Sequence, residues 1–249
     1  MKILCIIQAR MGSSRLPGKV LKEINGHPMI YYTLKRLKQS RYINEVILAT
    51  SIKDIDTPLV EYVSNLNIPV FRGSEDNVLE RYKLASDKYD GDIIIRVTGD
   101  CPLIDPVIVD NVITKYLMCD YDYLRLDVPE TFIRGFDVEV FSKKALDKVY
   151  SIACSKENIK NKDYEPFREH VTYYIYNHQN EFKVGYVEGN DFYNKSYRLC
   201  VDTEEDFKVV ENIYKYFKDE YIGSYSIVRY LDENINLVNI NKNITQKIK

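Results

Sequence analysis

The run DIIIRVTGD, Asp92 to Asp100, constrains the fold more than any other stretch. Its apolar residues crowd together instead of alternating, so a strand here must be covered on both faces, as in parallel sheets flanked by helices. Neighbouring segments repeat the arrangement. KILCIIQA, EVILATS and IPVF read as further short strands. PMIYYTLKRLKQ, TPLVEYVSNLN, NVLERYKLASDKY and DPVIVDNVITKYL carry apolar residues at helical spacing, with Val78, Leu79, Tyr82 and Ala85 on one side of the third. This β-α-β-α alternation predicts an α/β chain of three layers around a mainly parallel sheet.

The second half is less regular. DVEVFS, FKVGYVE and YRLCVDT read as strands, and EPFREHVTYYIYNHQ and EEDFKVVENIYKYFKDEY as helices. Strand following strand predicts added or antiparallel edge strands rather than a second core. The expectation is one domain over residues 1–249, ending in a loosely held polar tail over 234–249. A hydrophobic content of 45% suits such a core and argues against disorder. No apolar run reaches the roughly 18 residues that cross a bilayer, and the N-terminal run is too short for a signal peptide, so no membrane insertion is expected. Five scattered cysteines without a CxxC pair argue against disulfides or structural zinc and fit a cytoplasmic location. A net charge of −2 argues against non-specific nucleic-acid binding.

Ligands of open α/β sheets bind beyond the C-terminal strand ends. The loop in IIQARMGSSRLPGKVL follows the first strand and TGDCP follows the fourth, so both should open into one crevice. Arg10, Arg15 and Lys19 give the loop three cations, Gly12 and Gly18 permit close backbone approach, and Ser13 and Ser14 add donors. That combination suits a polyphosphate; the alternative is a solvated basic turn. At ~4 Å and an effective dielectric of about 20, each cation–phosphate pair gains roughly 4 kcal/mol before desolvation. The loop is not a Walker A motif: five residues separate Gly12 from Gly18, and Val20 follows Lys19 where a hydroxyl would be needed. No GxGxxG fingerprint is present either.

IIQARMGSSRLPGKVL resembles the signature loop of the sugar-acid cytidylyltransferases, the family of the Kdo and acylneuraminate enzymes. The match is closer to the branch of the spore coat polysaccharide biosynthesis protein F, which VFRGSEDNVLERY, RVTGDCPLIDP, RGFDVEVFS, FREHVT and RLCVDTEEDF also resemble. These motifs run in order from residue 6 to about residue 207. The resemblance implies a three-layer, Rossmann-like nucleotide-diphospho-sugar transferase fold with a mainly parallel mixed sheet. It also implies transfer of CMP from CTP to a small anionic acceptor with release of pyrophosphate, a homodimer, and an acceptor-binding and dimerisation elaboration over about 120–200.

Carried onto this sequence, the resemblance puts Arg10, Arg15 and Lys19 on the triphosphate, assisted by the amides of Gly12, Ser13 and Ser14. Asp100 and Asp202 match the aspartates that hold Mg²⁺ in related enzymes. Ala9, Arg72, Ser74 and Thr98 are the expected nucleotide contacts. Arg134, Asp137, Glu139 and His170 are the expected acceptor contacts; Asp137 and Glu139 would share one strand face. Each has a plainer reading. Asp105 suits a helix cap, Thr203 with Asp206 suits a capping box, Arg81 suits a helix-face charge, and a lone histidine is commonly structural. Cys101 beside Asp100 is not expected to act, because transfer at phosphorus needs no covalent enzyme step. Two other functions compete: a glycosyltransferase holding metal through the DYD of Asp120 to Asp122, and a non-catalytic nucleotide-binding assembly protein.

Overall fold

A computed structural model describes residues 1–246. Strand β1 (Ile3–Gln8) lies inside a sheet, parallel to β4 (Glu45–Ser51) on one side and to β6 (Ile93–Thr98) on the other. β5 (Val70–Gly73) continues the parallel set beyond β4. Past β6 the sheet turns mixed. β8 (Glu139–Ser142) runs antiparallel to β6 and to β7 (Tyr123–Leu126), and β9 (Val184–Val187) lies parallel to β7 at the edge. The order is β5-β4-β1-β6-β8-β7-β9. A separate two-residue hairpin joins β2 (Glu23–Ile24) to β3 (His27–Pro28).

The inner strands are covered on both faces because their side chains alternate between two cores. Ile3, Cys5 and Ile7 of β1 pack with α1 (Met29–Leu37), α2 (Thr57–Asn65), α4 (Pro106–Met118), α8 (Glu204–Phe217) and α9 (Ser224–Glu233). Leu4 and Ile6 pack with α3 (Val78–Lys88), α5 (Lys143–Ala153) and α7 (Tyr173–Asn177) on the other face. Each buried aliphatic side chain contributes roughly 1.5–3 kcal/mol. These are the three layers that the alternation predicts.

Local capping sets where helices begin. Asn77 accepts the Glu80 amide at 3.0 Å and Asp105 the Val107 amide at 2.8 Å. Thr203 and Asp206 form the expected capping box, with Thr203 Oγ1 accepting the Asp206 amide at 3.3 Å. Each such cap is worth about 1 kcal/mol. Asp105 does more than cap, since its second oxygen accepts the Ser224 amide at 2.6 Å and ties α4 to α9.

The irregular half departs from expectation in several places. YLRL is a strand, β7, and α5 and α9 were not foreseen. β8 lies inside the sheet rather than at its edge. EPFREHVTYYIYNHQ is not one helix but two short ones, α6 (Glu165–Glu169) and α7. They separate because Val171 is buried in the second core while the Thr172 hydroxyl donates to Glu139 Oε2 at 2.6 Å. YRLCVDT forms no strand, only the bridge between Arg134 and Arg198. The polar tail is docked rather than loose. After α10 (Ile235–Val238), Asn241 is buried with both its amide hydrogens placed, on Arg198 O and Asp206 Oδ1 at 2.9 Å each. Residues 247–249 of the expected tail lie outside the described residues.

Candidate active site

Four parallel strands, β1, β4, β5 and β6, end along the same edge, and the charged loop leaves from the middle of it. The loop is pinned by Asp56, which sequence reasoning missed. Asp56 Oδ1 accepts the Met11 amide at 2.7 Å, and Oδ2 accepts the Thr50 hydroxyl at 2.9 Å and the Ser51 hydroxyl at 2.5 Å. Burial alone would raise the Asp56 pKa, but the hydrogen bonds from Ser51, Met11 and Thr50 outweigh it and hold it below the usual carboxylate range. Gly18 closes the loop in the left-handed region at φ 69°, as its lack of a Cβ allows, and leads into a 3-10 turn over Lys19–Leu21.

Gly99 brings the TGD turn against this loop. A Cβ there would fall 2.7 Å from Ala9 Cβ and 2.9 Å from Ile30 Cδ1. The next residue, Asp100, accepts the Thr98 hydroxyl at 2.5 Å on Oδ1 and the Lys19 ammonium at 3.0 Å on Oδ2. The segment before α8 closes the ring, with the Val201 amide donating to Asp100 O at 2.8 Å. Lys19 Nζ also donates to Val201 O at 2.7 Å and to Asp202 Oδ1 at 2.9 Å, so its three protons are all engaged. The other Asp202 oxygen takes Arg15 at 2.9 Å and Arg198 at 2.6 Å. Burial would lower the Lys19 pKa, but the Asp100 and Asp202 carboxylates reverse the effect and drive it up. Burial would likewise raise that of Asp100, and Lys19 with Thr98 brings it below its ordinary value.

These residues border a cavity of about 1270 Å³. Of the residues singled out from the sequence, Ala9, Arg10, Gly12, Ser13, Ser14, Arg15, Lys19, Ser74, Thr98, Asp100, His170 and Asp202 all line it. Four do not. Arg72 donates to Ser51 O at 3.0 Å and Lys53 O at 2.9 Å, joining β5 to the end of β4. Asp137 lies in the turn ahead of β8, accepting the Gly135 amide at 2.6 Å, with Arg134 at 3.5 Å. It therefore shares no strand face with Glu139, contrary to the expectation. Burial pushes the Asp137 pKa up; Arg134 opposes this, and the nearby Asp100 charge adds to it. Glu139 turns instead to Arg96 and Thr172.

Three further features were not foreseen. Glu75 lines the cavity and pairs with Arg10 at 3.1 Å and with Lys53. Arg81, read as a surface charge, is 1% exposed and donates to Ser74 O at 2.7 Å, bracing the turn that borders the cavity. Strand register also sets Arg96, Glu139, Arg125 and Tyr186 side by side across β6, β8, β7 and β9. Arg125 sits between the rings of Tyr176 and Tyr186, at 5.5 and 5.3 Å, and Tyr176 lines the cavity. The Nε atoms of Arg96 and Arg125 are buried with no hydrogen-bond partner among the described residues. Glu139 pairs with Arg96, and its charge also acts on Arg125. Only register, invisible to local patterning, assembles the row.

The arrangement gathers cations that are each neutralised by a carboxylate, beside a large opening. Among the described residues no group of three or more His, Cys, Asp or Glu has metal-holding geometry; what converges is two carboxylates and a carbonyl around an ammonium. Cys101 is buried, and burial pushes its thiol pKa well up, which removes it as a nucleophile. The DYD segment serves β9: Asp120 pairs with Lys183, and Asp122 accepts the Lys183 amide at 2.9 Å.

Comparison with known proteins gives a consistent family. Residues 4–242 match the family model described as cytidylyltransferase. An uncharacterized protein of Methanocaldococcus jannaschii is 40% identical over 248 residues, 99% of this chain and 97% of its own length. The spore coat polysaccharide biosynthesis protein SpsF of Bacillus subtilis is 34% identical over 86% of each chain. The structure of a cytidylyltransferase from Leptospira borgpetersenii superimposes over the full length of both chains with a TM-score of 0.87 at 32% identity.

Proposed function

Because the chain belongs to the cytidylyltransferase family, we propose that it transfers CMP from CTP to a small acidic acceptor, a sugar acid, phosphate or phosphonate, releasing pyrophosphate for the synthesis of a surface glycan or polysaccharide. One observation carries this reading: Arg15 and Lys19 from the first loop meet Asp100 and Asp202, far later in the chain, at 2.9–3.0 Å beside the large cavity.

An acceptor oxygen attacks the α-phosphorus of CTP in line with the leaving pyrophosphate. Arg10, Arg15 and Lys19 supply charge neutralisation along the triphosphate, and positioning does most of the remaining work. Each cation is held by a carboxylate until the nucleotide arrives: Arg10 by Glu75, Arg15 by Asp202 and Lys19 by both aspartates. Phosphate oxygens then take over as partners, so the exchange avoids stranding an unpaired buried charge. The amides of Gly12, Ser13 and Ser14 assist on the triphosphate, and the base and ribose lie along Ala9 and Ser74, near Thr98. Arg72, which braces β5 outside the cavity, is not retained for that role.

Asp100 and Asp202 suit a hard divalent cation, Mg²⁺, because they present carboxylate oxygens on one point and leave further positions to substrate phosphates. When bound, such an ion neutralises charge on the phosphates and orients them. On the acceptor side, the excess guanidinium of the Arg96–Glu139–Arg125 row favours an anion. His170 and Tyr176 line the cavity. For the proton of an attacking hydroxyl we assign ionised Asp137 as the acceptor, its basicity raised chiefly by burial. We place the enzyme in the cytoplasm as a homodimer, with 120–200 as the acceptor and subunit-contact region. Pyrophosphate release, followed with each of the four ribonucleoside triphosphates against sugar acids and phosphorylated acceptors, tests the proposal. Release from CTP with an acidic acceptor is expected; consumption of a nucleotide-sugar without pyrophosphate would instead establish a glycosyltransferase.

A further inference from the structure

We infer that the segment 239–246 is a working part of this site, with Asn241 and Gln246 as positioning residues that fix Arg198 and, through it, the Asp202 carboxylate. The inference rests on the cytidylyl-transfer reading above. Arg198 is 9% exposed and spends each guanidinium nitrogen on a different partner. Nε donates to Asp206 Oδ1 at 3.0 Å, Nη2 to Asp202 Oδ2 at 2.6 Å, and Nη1 to Gln246 Oε1 at 2.7 Å. Asn241 locks the same group from behind by donating to Arg198 O and to Asp206 Oδ1, at 2.9 Å each. Thr245 O lies 3.4 Å from Arg15 Nη1.

The tail thus touches both arginines that grip one oxygen of Asp202, leaving the other oxygen to face Lys19. A planar guanidinium with all its edges occupied cannot rotate, and neither can the carboxylate that it holds. The segment NINKNITQ has little apolar surface to drive it into a cleft. Its hydrogen bonds are what seat it, and Gln246 ends up lining the cavity. Removing the Gln246 oxygen frees one edge of Arg198 and loosens Asp202 without touching a group that contacts substrate.

The test compares wild type, Gln246→Ala, Gln246→Glu and Asn241→Ala. Mn²⁺ binding in the presence of CTP is read by electron paramagnetic resonance, alongside KM and kcat for CTP. Loss of one charge-assisted hydrogen bond should weaken Mn²⁺ binding and raise the CTP KM about five- to tenfold in Gln246→Ala. The ligand-free melting temperature should stay within about 2 °C of wild type. Gln246→Glu, which keeps an acceptor oxygen of the same reach, should recover most of the loss. Asn241 is buried, so its variant is read only if it folds; Gln246→Ala decides alone. Wild-type Mn²⁺ and CTP binding in Gln246→Ala, or a loss confined to melting temperature, overturns the inference while leaving cytidylyl transfer intact. A wild-type enzyme that neither binds CTP nor releases pyrophosphate removes both.

Discussion

Lys19 holds together two carboxylates that would otherwise repel, and the proposed function also offers it to the triphosphate. Replacing it, or its partner, should therefore cost activity far more than fold. Lys19→Ala and Asp100→Ala are each expected to lower pyrophosphate release at least about tenfold with an unchanged circular dichroism spectrum, as for loss of a positioned charge. Asp56 should behave in the opposite way, because it shapes the loop and does not line the cavity. Asp56→Ala leaves several buried donors without an acceptor and should destabilise by roughly 3 kcal/mol in urea unfolding near neutral pH. The Asp56 pKa is depressed in the folded state, so its contribution is present above the ordinary value of 3.8 and is lost as pH falls from there through the folded value. The gap between wild type and variant should accordingly close in acid. The loop cations were legible in the sequence because three charges among glycines and serines form a local pattern. Asp56 and Glu75 were not, because nothing in IDTP or GSEDN says which backbone amide or cation they will meet.

Among the elements, most strands and the helices of the first half could be read from the chain, while β7, α5 and α9 could not. β1, β4 and β6 announce themselves by dense apolar runs, and Asp105 and Thr203 by their place before helices. β7 is four residues long with an arginine inside it, and period-two reasoning has little purchase on so short a piece. Yet β7 supplies Arg125, and its register beside β8 creates the cationic row. Arg125→Leu removes that charge while keeping the aliphatic stem between Tyr176 and Tyr186. It should raise the acceptor KM about tenfold and leave the CTP KM within about twofold, since one desolvated charge–anion contact is lost. Equal loss on both substrates would place the acceptor elsewhere. The split between α6 and α7 was equally hidden. No proline or glycine marks it, only the tertiary contacts of Val171 and Thr172.

At the scale of the whole molecule, the layered α/β class followed from alternation alone, while the mixed half of the sheet, the interior place of β8 and the docked tail did not. Those features depend on pairings between segments far apart in sequence. A nucleotide that bridges such segments should stiffen the entire chain. At a hundred times its dissociation constant, CTP with Mg²⁺ adds about 2.7 kcal/mol to stability. For a chain of this size that corresponds to a rise of roughly 5–10 °C in melting temperature. Differential scanning fluorimetry should show it for CTP and much less for GTP; equal shifts for both would mean that only the triphosphate is recognised.

The contact between Arg15 and Thr245 spans 230 residues. On a ribosome moving at 5–20 residues per second, the basic loop therefore emerges roughly 10–50 s before the segment that will brace it. Through that interval the nascent polypeptide carries the basic loop without its later partners. Translation products that stop short of Asn241 would lack the contacts that Asn241 and Gln246 make with Arg198.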